Sequence, residues 1–278
     1  MDKYIDSVKS LPPAPVLMVK LIECFRQPDH DMDEIVKMLA HDPPLTAELL
    51  RRCNQSLYGN DNPVTDVFDA VFRLGFYEVY TISMSIFGQQ TMSMKQLETG
   101  INVAELWKHS AIAAVASGAI ARKVSQSEGL AFTAGLLHDV GKIVFASAEG
   151  AEYAKIRQSV NGFGSELVAA ETGRYGFNHS DVGRRLLMKW GMPMEIVSPV
   201  AGHHSTLWDA PHEKLSAVVA LGDVLAHAVQ GAPLESCCQL PEAVSATALL
   251  EMAPDGLPSL LEEIQGELER VQGFLPLG

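Results

Sequence analysis

Apolar residues recur at helical spacing almost throughout this chain, and the every-second-residue alternation of a half-buried strand is hard to find in it. A chain so patterned can bury its apolar stripes only by packing helix on helix, so we expect an all-α fold. A proline-rich entry, Leu11 to Pro15, leads into a mostly buried helix carrying Val16, Leu17, Val19, Leu21, Ile22 and Phe25 and ending near Pro28. Asp31 to Leu39 reads as a short amphipathic helix. In the next helix Asp42 is the expected N-cap, Pro43 and Pro44 sit where a missing N–H costs little, and Gly59 is the stop. Pro63 to Leu74 and Phe76 to about Phe87 give two more, divided at Gly75.

Gly88 to Gly100 is polar and rich in Met and Gln, and reads as a seam between two subdomains. Met84, Met92 and Met94 would mark that seam or a partner-binding surface. Beyond it the spacing predicts helices over about 103–124, 128–147, 149–160, 163–173, 179–190, 193–204 and 213–229, then a tail with a last helix near 257–272. The expected organisation is a smaller helical subdomain over 1–100, a helical subdomain over 101–235, and a helical tail over 236–278.

Composition narrows the function. Hydrophobic residues make up 47% of the 278, enough for a sizeable core, and the charged fraction of 20% is too low for a disordered chain. Twenty-one basic residues against 34 acidic ones give a net charge of −13, the wrong sign for a general DNA-binding surface. One small anionic ligand could still bind in a locally positive pocket, such as metal ions would supply. Cys24, Cys53, Cys237 and Cys238 show no CxxC spacing and read as reduced thiols. Met1 to Ser10 is too polar for a signal peptide, and the longest apolar stretch, Ala111 to Ala121, is too short to span a bilayer. We therefore expect a cytoplasmic protein with no membrane segment.

Five of the nine histidines fall into a pattern with two aspartates. His109 lies early in the first long helix of the second half. His138-Asp139 ends an apolar run and precedes Val140, Gly141 and Lys142; His179 begins a helix; His203-His204 ends another; Asp223 sits inside Ala-Leu-Gly-Asp-Val-Leu. A carboxylate in so apolar a helix is costly to bury without a partner or a metal. An adjacent His-Asp on a helix would project two side chains about 100° apart, able to straddle one ion or a pair. Imidazole with carboxylate suits borderline divalent ions, with iron or manganese favoured and nickel, cobalt or zinc as alternatives. Five imidazoles and two carboxylates are too many for one ion and suit two that share Asp139. A metal pair is the usual apparatus for attacking a phosphoester.

His138-Asp139-Val140-Gly141-Lys142 resembles the signature of the HD superfamily of metal-dependent phosphohydrolases, and the wider sequence is similar to an HDOD domain. The matching pieces are Leu11-Pro12 through Pro15, Asp42-Pro43 through Asn54, Tyr58-Gly59 and Ala70 to Gly75. In the second half they are Trp107 to Ser110, Ala134 to Lys142, His179 with Val182-Gly183, Trp190 to Pro193, and His203-His204. Together they span roughly residues 8 to 230. The resemblance implies an HD-type helical bundle behind a smaller N-terminal helical subdomain, in a signalling or regulatory module whose core resembles the HD-GYP cyclic di-GMP phosphodiesterases. It also implies that His109, His138, Asp139 and Asp223 hold one metal, that Asp139, His179, His203 and His204 hold the other, and that Lys142 lies near substrate phosphate. The Glu-Arg-x-Asp-Gly-x-Gly-Tyr-Pro run of HD-GYP proteins is absent; Ser-Thr-Leu-Trp-Asp-Ala-Pro follows His203-His204 instead.

Three functions follow as expectations. The first is a regulatory module with two divalent ions and a phosphorylated or nucleotide-like ligand, meeting a signalling protein through its N-terminal subdomain. The second is a phosphohydrolase acting on a nucleotide or small phosphoester, with Asp139 and Lys142 as its catalytic residues. The third is a metal-free interaction scaffold. A homo-oligomer is compatible with each. His30, His41, His212 and His227 read as surface or capping residues, with His227 also on the helix face of Asp223. Lys142 could alternatively meet the C-terminal carbonyls of its helix. Trp107, Trp190 and Trp208 read as core or rim packing.

Overall fold

The computed structural model describes residues 16–26, 32–55, 64–92, 101–160 and 164–271. Every regular element among them is a helix, as the periodicity predicts. The entry prolines, His30, Gly59 and residues 93–100 of the expected seam lie outside the described residues.

The first half supplies α1 (Val16–Arg26), α2 (Met32–Ala40), α3 (Pro43–Gln55), α4 (Val67–Leu74) and α5 (Phe76–Met92). Asp42 caps α3 as expected, its Oδ1 accepting from the Leu45 N–H at 3.0 Å. Asn54 then ties the end of α3 to the following chain: its amide donates to the Leu50 and Val64 carbonyls, and its Oδ1 accepts from the Val64 N–H at 2.7 Å. Asp66 caps α4, and Gly75, at φ 86°, divides α4 from α5.

α5 runs five residues past its expected end near Phe87. Gly88 belongs to the core rather than to a seam: a Cβ there would stand 2.9 Å from Leu136 and 3.1 Å from Trp107. Met84 is likewise fully buried, which removes it from any partner surface. Within the same helix the Tyr80 hydroxyl lies 2.6 Å from Thr133 Oγ1, a buried polar link to the second half.

The second half supplies α6 (Val103–Lys123), α7 (Glu128–Leu137), α8 (Val140–Gln158), α9 (Ser165–Tyr175), α10 (His179–Lys189), α11 (Met194–Gly202) and α12 (Glu213–Val229). The chain then forms α13 (Leu234–Cys238), α14 (Pro241–Leu249) and α15 (Leu257–Val271). α13 and α14 lie at the start of the expected helical tail without an apolar period that marks them, although Pro241 at the start of α14 is a usable start signal. The helical spacing of 128–147 likewise predicts a single helix there. The chain instead turns at His138–Asp139, and Gly150, at φ 27° and ψ −100°, kinks α8 close to the expected boundary.

α6 is the central helix, buried from His109 to Ala121. Its small residues let its neighbours come close. A Cβ on Gly135 of α7 would stand 2.8 Å from the Ala113 carbonyl, and one on Gly222 of α12 would stand 3.1 Å from the Ser117 nitrogen. One hydrophobic core continues from Met18 through this bundle to Leu268 of α15. Between Glu128 and Gln158 one window reaches a mean hydropathy of 1.3, and 94% of it is buried in the bundle.

Candidate metal centre

The close approach of α6, α7 and α12 sets His109, His138 and Asp223 around one point. Gly222 precedes Asp223, and Gly135 lies one helical turn before His138, so the tightest backbone contacts flank the polar residues. His138 and Asp139 occupy the turn between α7 and α8, not the interior of a helix as expected. That turn frees the Asp139 side chain from capping α8; it makes no cap hydrogen bond and points inward.

α10 begins at His179 because Asn178 forms a capping box with Asp181. Its approach to α8 requires Gly141: a Cβ there would overlap the His179 carbonyl and stand 2.9 Å from the Gly183 nitrogen. His203 and His204 follow the last residue of α11, where the Gly202 carbonyl accepts from the Trp208 indole N–H at 2.7 Å.

All seven expected ligands meet. Asp139 stands between two groups of imidazoles. Its Oδ1 is 3.4 Å from His179 Nε2 and 3.8 Å from His203 Nε2, while its Oδ2 is 3.3 Å from His138 Nε2 and 4.0 Å from His109 Nε2. Asp223 Oδ1 lies 2.8 Å from His109 Nε2 and 3.5 Å from His138 Nε2, and its Oδ2 is 3.8 Å from His204 Nδ1. His227, on the helix face of Asp223, takes the alternative to a surface or capping place: it comes within 3.6 Å of Asp223 Oδ1 and packs its ring 4.5 Å from that of His109. His41, on an exposed turn, is remote from the centre in its contacts, and His212 starts α12.

Hydrogen bonds behind the rings fix which nitrogen faces inward. Nδ1 of His138 meets the Gly135 carbonyl at 2.7 Å, and Nδ1 of His203 meets the Val200 carbonyl at 2.8 Å. Nδ1 of His179 meets Glu171 Oε2 at 2.7 Å. Carbonyl and carboxylate oxygens only accept, so each Nδ1 donates and each Nε2 is turned toward the centre. Glu171 was not anticipated. It is fully buried, also accepts from the His179 N–H at 2.8 Å, and takes the Tyr153 hydroxyl at 2.7 Å on its other oxygen. Gln230, also unanticipated, stands 2.8 Å from His109 Nδ1.

Charge follows this layout. Burial works against ionising Asp139 and Asp223, yet His138 and Lys142 beside Asp139, and His109 and His138 beside Asp223, hold both carboxyls well below the usual range. Burial and neighbouring imidazoles keep His203 neutral. The same causes bring His204 down to about 3, and burial, partly offset by Asp223, brings His227 down to about 4. His138 goes the other way: burial opposes its charge, but Asp139 and Asp223 overcome that and raise it to about 10.

The donor set fits divalent ions. His138 Nε2, Asp139 Oδ1 and His204 Nδ1 are buried without a hydrogen-bond partner. His179 Nε2 stands 3.1 Å from His204 Nε2 and 3.3 Å from His203 Nε2. Two nitrogens each about 2.1 Å from one ion, at tetrahedral to right angles, stand roughly 3.0–3.4 Å apart. Lys142, in the first turn of α8 and so far from that helix's C-terminal carbonyls, donates to Asp139 Oδ2 at 2.6 Å. A separate cleft of about 630 Å³ lies against the outer side of the His203–His204 turn, lined by Arg184, Trp208 and His212 among others, and by none of the seven residues.

The family model of the HDOD domain matches residues 11–206. Ribonuclease Y of Acholeplasma laidlawii is 27% identical over 168 residues, 60% of this chain and 25% of that protein. The chain spans less than half the length of such curated relatives. A proposed phosphohydrolase from Shewanella amazonensis SB2B superposes with a TM-score of 0.73 at 20% identity, covering 99% of this chain and 97% of that one. A proposed signal transduction protein from Marinobacter aquaeolei VT8 gives 0.76 at 22% identity, covering 96% and 59%. At these identities the two structures establish the fold.

Proposed function

This chain belongs to the HDOD domain family, and from that membership we propose a cytoplasmic regulatory module whose centre holds two divalent ions and receives a phosphate-containing ligand. One observation carries the reading: the Nε2 atoms of His138, His179 and His203 converge with two ionised carboxylates, and among the described residues no backbone donor answers them. The Lys142 ammonium and a charged His138 offset part of this crowding of acceptors, and divalent cations would offset the rest. His179, His203 and His204 with Asp139 Oδ1 would hold one ion, and His109, His138 and Asp223 with Asp139 Oδ2 the other. Iron or manganese suits this mixture, with nickel, cobalt or zinc as alternatives. The two ions would supply positive charge for phosphate oxygens. Lys142, 13% exposed, would add its ammonium where the ligand arrives.

Hydrolysis of a nucleotide or small phosphoester is the second reading, supported by the division of Asp139's two oxygens between the two imidazole groups. In that case Asp139 fixes the spacing of the reacting groups, and Lys142 holds phosphate against the centre. A signalling protein partner would meet the N-terminal helices, where α4 presents Phe68 and Phe72, 62% and 81% exposed. The likeness to a proposed signal transduction protein from Marinobacter aquaeolei supports a regulatory role of this kind.

The test is the metal content of tag-free protein, by elemental mass spectrometry, beside Asp139→Ala. The expected result is about two equivalents after loading with manganese or iron, lost in the variant. No bound metal after loading with each candidate ion would refute the reading and leave a metal-free interaction scaffold.

A further inference from the structure

We infer that the two halves of the centre are unequal: the His179–His203–His204 half retains its ion, while the half facing Asp223 is an exchangeable divalent-cation site at which the ammonium of Lys142 is the competitor. The inference rests on the two-ion reading above.

The retained half is built as a rigid imidazole set. His179 and His203 are fully buried and the His204 side chain is 7% exposed. Glu171 takes both the Nδ1–H and the backbone N–H of His179, and is itself held by the Tyr153 hydroxyl. A carboxylate behind an imidazole fixes its tautomer and orientation and strengthens it as a donor. Three imidazoles and one carboxylate oxygen suit zinc, iron, cobalt or nickel.

The other half differs in three ways. Its imidazoles share the site with carboxylate oxygens from both Asp139 and Asp223, a harder set that also admits manganese. It meets solvent: the side chains of His109, Lys142 and His227 are 10%, 13% and 20% exposed. It also already contains a cation. Lys142 Nζ sits 2.6 Å from Asp139 Oδ2, the same oxygen that stands 3.3 Å from His138 Nε2. An arriving ion must share or take that oxygen from an ammonium, and like charges at this range repel strongly in a buried site. Occupancy of this half would then follow the supply of divalent cation, and each ion bound there would release the lysine. Glu171 is a positioning residue for the retained half, and Lys142 sets the affinity of the exchangeable one.

The experiment titrates metal-stripped, tag-free protein with Co²⁺, which suits both halves, and reads bound Co²⁺ by its visible absorption. The wild type should show two steps separated by about tenfold or more. Lys142→Met should tighten the weaker step by about tenfold or more and leave the tighter one within about threefold. Glu171→Gln should weaken the tighter step by about 10–100-fold and leave the weaker one. Lys142→Gln repeats the test if circular dichroism shows Lys142→Met to be unfolded. Two equal steps, or a weaker step that Lys142→Met leaves unchanged or loosens, would overturn the inference while sparing the two-ion centre. Failure of the wild type to bind Co²⁺ or any other divalent ion would overturn both.

Discussion

Gly141→Ala and Gly173→Ala are the same chemical change, and the structure gives them opposite signs. At Gly141 the new methyl would overlap the His179 carbonyl and crowd the Gly183 nitrogen at 2.9 Å. Both obstacles are backbone of α10, so no rotamer change can clear them. Overpacking a core costs roughly 1–3 kcal/mol, and an obstacle that cannot move puts this site at about 3 kcal/mol or beyond. At Gly173, on the exposed side of α9, nothing lies within 4 Å of the new methyl. There alanine should stabilise by roughly 0.5–1 kcal/mol, through backbone entropy alone. With about 2–4 °C per kcal/mol for a chain of this size, Gly141→Ala should lower Tm by roughly 6–12 °C, and Gly173→Ala should raise it by roughly 1–4 °C. Urea unfolding followed by circular dichroism measures both. Gly141→Ala should also weaken metal binding, because parting α8 from α10 parts Asp139 from His179. A Gly141→Ala variant within about 0.5 kcal/mol of wild type would refute the argument, as would a Gly173→Ala variant less stable than wild type.

Three further outcomes follow from the same geometry. Tyr80→Phe leaves the buried Thr133 hydroxyl without its partner at 2.6 Å and should cost about 1–2 kcal/mol, read as a lower urea midpoint with the slope unchanged. Burial raises the Cys53 thiol to about 11, so at pH 8 it should resist iodoacetamide in the folded protein while the half-buried Cys24 and Cys238 react; mass spectrometry of the labelled peptides decides this. The sign of its linkage is that of an acid held protonated by folding: its contribution is complete below the thiol's unfolded pKa and is lost as pH climbs toward about 11. A chelator should lower the Tm of the loaded protein and leave that of Asp139→Ala unmoved, because ions that bind only the folded chain stabilise it by mass action.

The helices were legible because burial stripes at a period of 3.6 survive in a single sequence, and because Asp42 and Gly75 announce ends by residue type. The break at His138–Asp139 was not. Ala-Gly-Leu-Leu-His-Asp-Val-Gly-Lys has no proline, and its apolar residues run on at helical spacing. At the end of α7 His138 turns its ring back to the Gly135 carbonyl, three residues before it, and Asp139 points inward instead of capping α8. The meeting of the seven residues was legible as a motif joined to histidines at helix ends and to His109 and Asp223 inside apolar helices. Their supports were not, because Glu171 lies in a helix whose neighbours Thr172, Gly173 and Arg174 face solvent, and so reads as one more surface acid. Only its position eight residues before His179, across the turn into α10, hints at the pairing.

The placement of the ligands explains how so polar a cluster fits a bundle without unravelling it. Four of the seven, His138, Asp139, His203 and His204, come from turns that follow helices, and His179 is the first residue of another helix. At such positions a side chain can turn inward without interrupting a ladder of i to i+4 hydrogen bonds. Only His109 and Asp223 project from helix interiors, and small residues let those two helices approach closely at Ser117 and Gly222. Burying two ionised carboxylates and five imidazoles without cations costs several kcal/mol, and the chain offsets part of it with a charged His138 and the Lys142 ammonium. A fold optimised for stability alone would fill that space with apolar side chains. Backing hydrogen bonds on His138, His179 and His203 all aim Nε2 at a common point, and on the proposed two-ion reading the stability given up there is what ion binding would restore.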